Sequence, residues 1–115
     1  MKSYIMQMRE PWFTYVKHNK KKIILKQFSK FWKDIEVNDI ITIINSYNEF
    51  IKVKIIGINY YTTYYNNLVS CLEVEGINNI LPYIHTIKES VNIYSQWLSE
   101  KAINDGIIAI HIEQV

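Results

Sequence analysis

The chain has 115 residues, of which 49% are hydrophobic and 21% are charged. This composition excludes a disordered chain, and the length predicts one domain over residues 1–115 with a single core. The formal net charge is only +2, which excludes a strong positive field over the whole surface, so any affinity for nucleic acid must come from local clusters of lysine.

The first half of the chain reads as short strands around one helix. Pro11 suits the first turn of a helix, and the aromatic residues Trp12, Phe13 and Tyr15 follow it. The predicted elements are a strand at 3–8, a helix at 11–18, a strand at 22–28, a loop at 29–38 that carries Phe31 and Trp32, a strand at 39–45 and a turn at 46–48.

The second half adds one long strand and further helices. Residues 51–55 alternate between isoleucine or valine and lysine, which indicates a half-buried strand. Thr86 and Glu89 have the spacing of a capping box, and apolar residues then recur at helical spacing to Leu98. The predicted elements are a strand at 50–61, a helix at 62–72, a helix that starts at 87, a turn at 104–106 and a strand at 107–113.

The strands outnumber the helices and follow one another too closely for βαβ crossovers, which need a dozen or more residues. The fold class is therefore α+β and mainly β. We expect a small barrel or a strongly bent mixed sheet with about three short helices at its rim.

A series of short motifs runs in order along nearly the whole chain: Pro11-Trp12-Phe13, Asn19-Lys20-Lys21 leading to Lys26, Val37-Asn38-Asp39-Ile40-Ile41, Tyr65-Asn66-Asn67-Leu68, Leu81-Pro82, Tyr94, and Gly106-Ile107-Ile108-Ala109-Ile110. This ordered set resembles the ASCH domain, a family of the PUA-like superfold. The resemblance implies a PUA-like β-barrel that binds RNA.

The chain departs from the family pattern at identifiable positions. Asn19 and Asn38 stand where the family has glycine, and asparagine is the residue that best replaces glycine at positive φ. We therefore expect both turns to persist. Lys26 stands where the family has arginine. The planar guanidinium, which can bind phosphate through two hydrogen bonds, is therefore replaced by an ammonium group that acts as a point charge.

Lysine is concentrated in one segment. Seven of the 13 Lys and Arg residues lie between positions 17 and 33, and no Asp or Glu falls among them. Clustered lysines bind phosphate backbones by releasing condensed counterions. We predict that RNA or a nucleotide, including single-stranded nucleic acid, binds here; the alternative is a solvated helix–strand corner. The predicted binding lysines are Lys17, Lys20, Lys21, Lys22 and Lys26.

Two aromatic residues are candidates for stacking on bases. Trp32 lies between Lys30 and Lys33, and Tyr61 ends the long strand. Stacking on such side chains contributes about 1–3 kcal/mol per base. The alternative interpretation is that these rings cover the open end of the barrel.

A catalytic interpretation follows from the resemblance. Some small ASCH proteins resemble amidohydrolases that act on N4-acetylcytidine with a lysine, a threonine three residues later and a glutamate. Lys21 matches the lysine and Glu73 or Glu75 the glutamate, but Ile24 occupies the threonine position and can neither attack nor relay a proton. The sequence thus favours binding over catalysis. A hydrolase of the amidohydrolase or ribonuclease type with Lys21 central, or a protein-interaction adaptor, are the alternatives.

No cofactor or metal site is predicted. His18, His85 and His111 are isolated and lack zinc-ligand spacing, and the three glycines are too scattered for a phosphate loop. The lone Cys71 is typical of a reducing compartment. With no signal peptide and no apolar run of roughly 20 residues, we expect an intracellular protein, in the cytoplasm or nucleus, without a membrane partner.

Overall fold

The computed structural model describes residues 1–115, and a five-stranded sheet forms its centre. None of its helices has the length and apolar character needed to cross a lipid bilayer. In chain order the elements are β1 (Ser3–Gln7), α1 (Trp12–Lys17), β2 (Ile23–Gln27), β3 (Ile40–Ile44), β4 (Phe50–Tyr61), α2 (Asn67–Glu75), α3 (Ile77–Ile80), α4 (Ile87–Tyr94), α5 (Glu100–Asp105) and β5 (Ile107–Gln114).

The strand order is β1-β3-β4-β5-β2. β1 pairs in parallel with β3, and every other pair is antiparallel. The sheet curls into a half-barrel, so β1 and β2 are its two edges. The predicted α+β, mainly β fold is confirmed, and the half-barrel is open between these two strands.

Side-chain alternation on β2 and β5 divides the buried residues into two clusters. Ile24, Ile108 and Ile110 face the inside of the half-barrel, which α1 helps to fill with Phe13 and Val16. The intervening residues of both strands pack on the other side against α2, α3 and α4. β5 is therefore buried on both faces from Ile107 to Ile110, which explains its uninterrupted apolar sequence.

Both asparagines that replace glycine adopt the conformation expected of them. Asn19 has a φ of 60° and Asn38 a φ of 79°, so both turns persist without glycine. Gly106 is different, because its φ is 130° and a Cβ there would lie 2.7 Å from the methyl carbon of Thr62.

The structure has five short helices, two more than the three located in the sequence. α3 and α5 are the additions, and each is too short to show helical periodicity in the sequence. Residues 104–106, predicted as a turn, are the end of α5 and its glycine C-cap. The side chain of Ser99 accepts a hydrogen bond from the backbone N–H of Ala102 and starts this helix.

Two helix boundaries also differ from prediction. The helix predicted at 62–72 starts at Asn67 and continues to Glu75, because the Asn66 side chain caps it by accepting from the Val69 N–H. The helix that starts at Ile87 with the Thr86 cap is confirmed, but α4 ends at Tyr94, and a turn carries the chain to Leu98.

A buried carboxylate attaches α2 to the sheet. Glu75 Oε2 accepts hydrogen bonds from the Tyr61 hydroxyl and, at 2.8 Å, from Asn59 Nδ2, while Oε1 lies 2.7 Å from His111 Nε2. Burial alone would raise the pKa of Glu75, but the hydrogen bonds from Tyr61 and Asn59 and the charge of His111 hold it below its ordinary value. The ionised form of this carboxylate is therefore a structural element.

We predict that Glu75→Gln lowers the free energy of unfolding at pH 7 by about 2 kcal/mol, because a buried charged acceptor is lost. The folded state lowers the pKa of Glu75, so this contribution is present above its unfolded value and is lost as the pH falls through the folded value. Urea titrations at pH 7 and in acid measure it.

Glu73→Gln, two residues away on the exposed face of α2, is the matched control and should change the free energy of unfolding little. Equal stability of the two variants at pH 7 would show that the network does not hold α2 on the sheet.

Candidate functional site

The opening between the two sheet edges is a cleft, referred to below as the β1–β2 cleft. It has a volume of about 1040 Å³ and is lined by 23 residues. β1 and its extension contribute Met6 to Glu10, and β2 contributes Ile24 to Gln27 together with Lys21 just before it. The residues that end and follow α4 close one side.

Lys21 is the most unusual side chain of the cleft. It is only 5% exposed, whereas its neighbours Lys20 and Lys22 are exposed, as strand alternation predicts. Its ammonium donates a hydrogen bond to the carbonyl of Ile80, at the end of α3, where carbonyl groups lack helical partners. Burial and, secondarily, the charge of Lys26 lower the pKa of Lys21 to about 7.

Lys26 enters the same cleft from further along β2. Its ammonium lies 5.3 Å from the centre of the Trp32 ring, within cation–π range. Trp32 itself is 9% exposed and packs against Tyr4 and Phe31. Burial lowers the pKa of Lys26 as well.

Neither lysine has a carboxylate partner. The four ion pairs of the structure join Lys2 to Glu36, Lys54 to Glu113, Lys101 to Asp105 and His111 to Glu75. Buried cations are normally paired. Two amines that share one cleft without a counter-ion form a site that an anion would complete.

Arg9 and Glu10 also line the cleft, and the sequence interpretation did not include them. Glu10 Oε1 accepts hydrogen bonds from the backbone N–H and the hydroxyl of Thr14, so this carboxylate is engaged with α1. Both residues directly precede Pro11, at the junction of the predicted strand and helix, and this position is the sequence feature that could have identified them as site residues.

Three aromatic side chains, referred to below as the aromatic wall, line the same cleft as the lysines. Trp12, Tyr94 and Trp97 line the cleft, and the rings of Tyr94 and Trp97 are perpendicular with their centres 5.4 Å apart. Trp97 is 41% exposed, so part of its ring is free for contact. The sequence interpretation missed Trp97, although it lies three residues after Tyr94.

The other predicted site residues lie elsewhere. Lys17, Lys20 and Lys22 are exposed around the α1–β2 corner and do not line the cleft. Tyr61 and Glu75 belong to the α2–sheet network, and Glu73 is exposed on α2. The structure thus brings together Lys21, Lys26 and Trp32.

The arrangement suits anion binding better than hydrolysis. Ile24, in the position of the family threonine, is 2% exposed and offers no hydroxyl. Of the carboxylates considered for catalysis, neither Glu73 nor Glu75 lines the cleft. The side chains of the cleft that offer hydrogen-bond donors include Lys21, Lys26, Arg9, Gln7 and Gln27.

We predict that Lys21→Met removes a pH dependence of stability. The folded state lowers the pKa of Lys21 from 10.5 to about 7, so between these values the unfolded chain binds more protons and stability rises with pH. Relative to Lys21→Met, the wild-type free energy of unfolding should increase by an amount on the order of 3 kcal/mol from pH 7 to pH 10.

Chemical denaturation of both proteins at several pH values measures this difference, and Lys22→Met, at the exposed neighbour, is the control. A wild-type curve parallel to that of Lys21→Met would contradict the unpaired burial of the Lys21 amine.

No protein-family model matches the chain, and no curated protein is similar to it in sequence at a significant level. Solved structures, in contrast, match over the full length. The hypothetical protein PH0355 is 32% identical, with a TM-score of 0.85 over 98% of this chain and 99% of its own. Protein PF0455 from Pyrococcus furiosus is 27% identical, with a TM-score of 0.75 over 98% and 97%.

An ASCH domain from Lactobacillus crispatus is 12% identical, with a TM-score of 0.58 over 98% of this chain and 79% of its own. An identity this low shows a common fold alone. The ASCH fold agrees with the order of motifs in the sequence. The chain therefore belongs to the same family as the hypothetical protein PH0355, and its fold is that of the ASCH domain.

Proposed function

We propose that this protein binds RNA or a nucleotide in the β1–β2 cleft and does so without catalysis. The observation that carries the proposal is the pair Lys21 and Lys26: a buried and a half-buried lysine in one cleft, neither of them in an ion pair. A bound phosphate supplies the missing negative charge at this position.

The aromatic wall supports a ligand that also carries bases. The exposed part of Trp97 and the half-buried Trp12 lie in the same cleft as the two lysines. Aromatic side chains beside a cationic groove are the usual platform for single-stranded nucleic acid, since every base has a π-face. Lys17, Lys20 and Lys22, exposed near one end of β2, extend the positive surface along which a backbone runs.

The fold supports the same proposal, because the ASCH resemblance implies RNA binding. We take residues 1–115 as one ASCH domain. We also place its action inside the cell, in the cytoplasm or nucleus, where RNA is available and where the free, buried Cys71 stays reduced.

We predict that the triple variant Lys20→Gln, Lys21→Met, Lys26→Met binds single-stranded RNA at least about tenfold more weakly at low salt. For single strands the slope of log K against log salt should shrink by about 2, since three phosphate contacts are lost. Fluorescence anisotropy of a labelled oligonucleotide across a salt series measures both quantities.

The matched control replaces Lys52, Lys88 and Lys101 with glutamine, which changes the net charge equally at positions outside the cleft. The proposal fails if the two triple variants lose affinity to the same extent, because the effect would then be that of overall charge.

One observation favours a second candidate, a hydrolase acting on an acylated nucleoside such as N4-acetylcytidine. The pKa of Lys21, lowered to about 7 by burial and by Lys26, leaves a share of the amine neutral and able to accept a proton at neutral pH. The buried Ile24 weakens this candidate, because the threonine expected there is missing.

If the binding proposal holds, N4-acetylcytidine is not deacylated above the background rate, and Ile24→Thr is needed before any activity appears. Chromatography of the nucleoside after incubation with the wild type, Ile24→Thr and Lys21→Met measures this. Turnover by the wild type that disappears in Lys21→Met would establish the hydrolase instead.

A further inference from the structure

The charges that line the β1–β2 cleft do not balance. Arg9, Lys21 and Lys26 are cationic and Glu10 is the single Asp or Glu among the lining residues, which leaves a net charge of +2 when both lysines are protonated. Glu10 is already bonded to Thr14. An internal phosphodiester of RNA carries one negative charge, whereas a terminal phosphate monoester carries up to two.

The burial of Lys21 also favours a terminal phosphate over an internal phosphodiester. With only 5% of its surface exposed, and with its ammonium held against the Ile80 carbonyl, it is reached only by a group that projects into the cleft. An internal phosphodiester is flanked by a nucleoside on each side, whereas a terminal phosphate projects from one end of its nucleoside.

We propose that the β1–β2 cleft takes the terminal phosphate monoester of a nucleotide or RNA end between Lys21 and Lys26, and that Lys21 takes up a proton when this phosphate binds. The inference rests on the proposed function and deepens it by naming the ligand group. The phosphate replaces the missing counter-ion, and the bases extend along the Trp12 and Trp97 wall.

The proton uptake follows from the surroundings of Lys21. Burial and the charge of Lys26 favour its neutral form in the free protein, and a dianion beside it favours the ammonium. Tyr94 keeps its proton because burial raises its pKa, and Glu113, on the other side of Lys21, pairs with Lys54. The charged and titratable groups that line the hollows on the two sides of Lys21 are Arg9, Glu10, Lys22, Lys26, Tyr47, Tyr94 and Glu113.

The test compares pentauridylates that carry a 5′-phosphate, a 3′-phosphate or hydroxyl groups at both ends, together with uridine monophosphate and uridine. Isothermal titration at pH 8 in two buffers of different ionisation enthalpy gives the affinity and the number of protons exchanged. We expect at least one phosphorylated end to bind about tenfold or more tightly than the hydroxyl form, with uptake of about 0.9 proton per phosphate.

Lys21→Met should abolish both the preference for the phosphorylated end and the proton uptake, and Lys52→Met, at an exposed position outside the cleft, should keep both. Equal affinity for phosphorylated and hydroxyl ends, with RNA still bound in a salt-dependent manner, overturns this inference and leaves the proposed function intact. Absence of binding to every pentauridylate overturns both. If a variant fails to fold, the number of protons that the wild type takes up on binding the phosphorylated end still tests the inference, because the absence of uptake would overturn it.

Discussion

The hydrogen bond from the Lys21 ammonium to the Ile80 carbonyl is the interaction on which the candidate site depends. It joins the segment that enters β2 to the end of α3, across 59 positions of sequence. The adjacent backbone bond from Lys22 N–H to the Asn79 carbonyl, at 2.9 Å, fixes the same junction. Together they hold the Lys21 amine below the surface with no carboxylate beside it. A buried charge without a partner costs free energy, and a bound anion would offset that cost.

The open seam of the half-barrel explains why this amine faces a cleft. β1 and β2 are not paired with each other, so the space between them is not filled by a strand. β2 and the segment just before it place Lys26 and Lys21 there, and the turn after α4 adds Trp97 to the lining. Stability is supplied elsewhere, by the two hydrophobic clusters that enclose β2 and β5 and by the Glu75 network on α2.

Much of the fold could be predicted from local pattern. The alternation of residues 51–55 identified β4 with its observed bounds, Phe50–Tyr61, and the Thr86 capping box identified the start of α4. The two asparagines at positive φ behaved as replacements for glycine. α3 and α5 were not predicted, because helices of four and six residues have too few turns to show a helical period in the sequence. Tertiary contacts stabilise helices of this length.

The site was only partly predictable. Strand alternation distinguished Lys21 from its exposed neighbours Lys20 and Lys22. The sequence cannot show that the buried Lys21 ammonium donates a hydrogen bond to the carbonyl of Ile80. Trp32 was predicted as an exposed stacking ring, and its packing against Tyr4 arises from the pairing of β1 with β3. Arg9 and Trp97 became site residues because topology places the ends of β1 and α4 at the same opening.

The central claim is that Lys21 is a buried amine without a counter-ion that faces the cleft, and a direct measurement of its titration tests this. NMR observation of the Lys21 side chain, by the shift of its Cε and Nζ nuclei over a pH series, reports its protonation in the free protein. We predict a midpoint for Lys21 at about 7. A midpoint for Lys21 near 10.5, the ordinary lysine value, would contradict it.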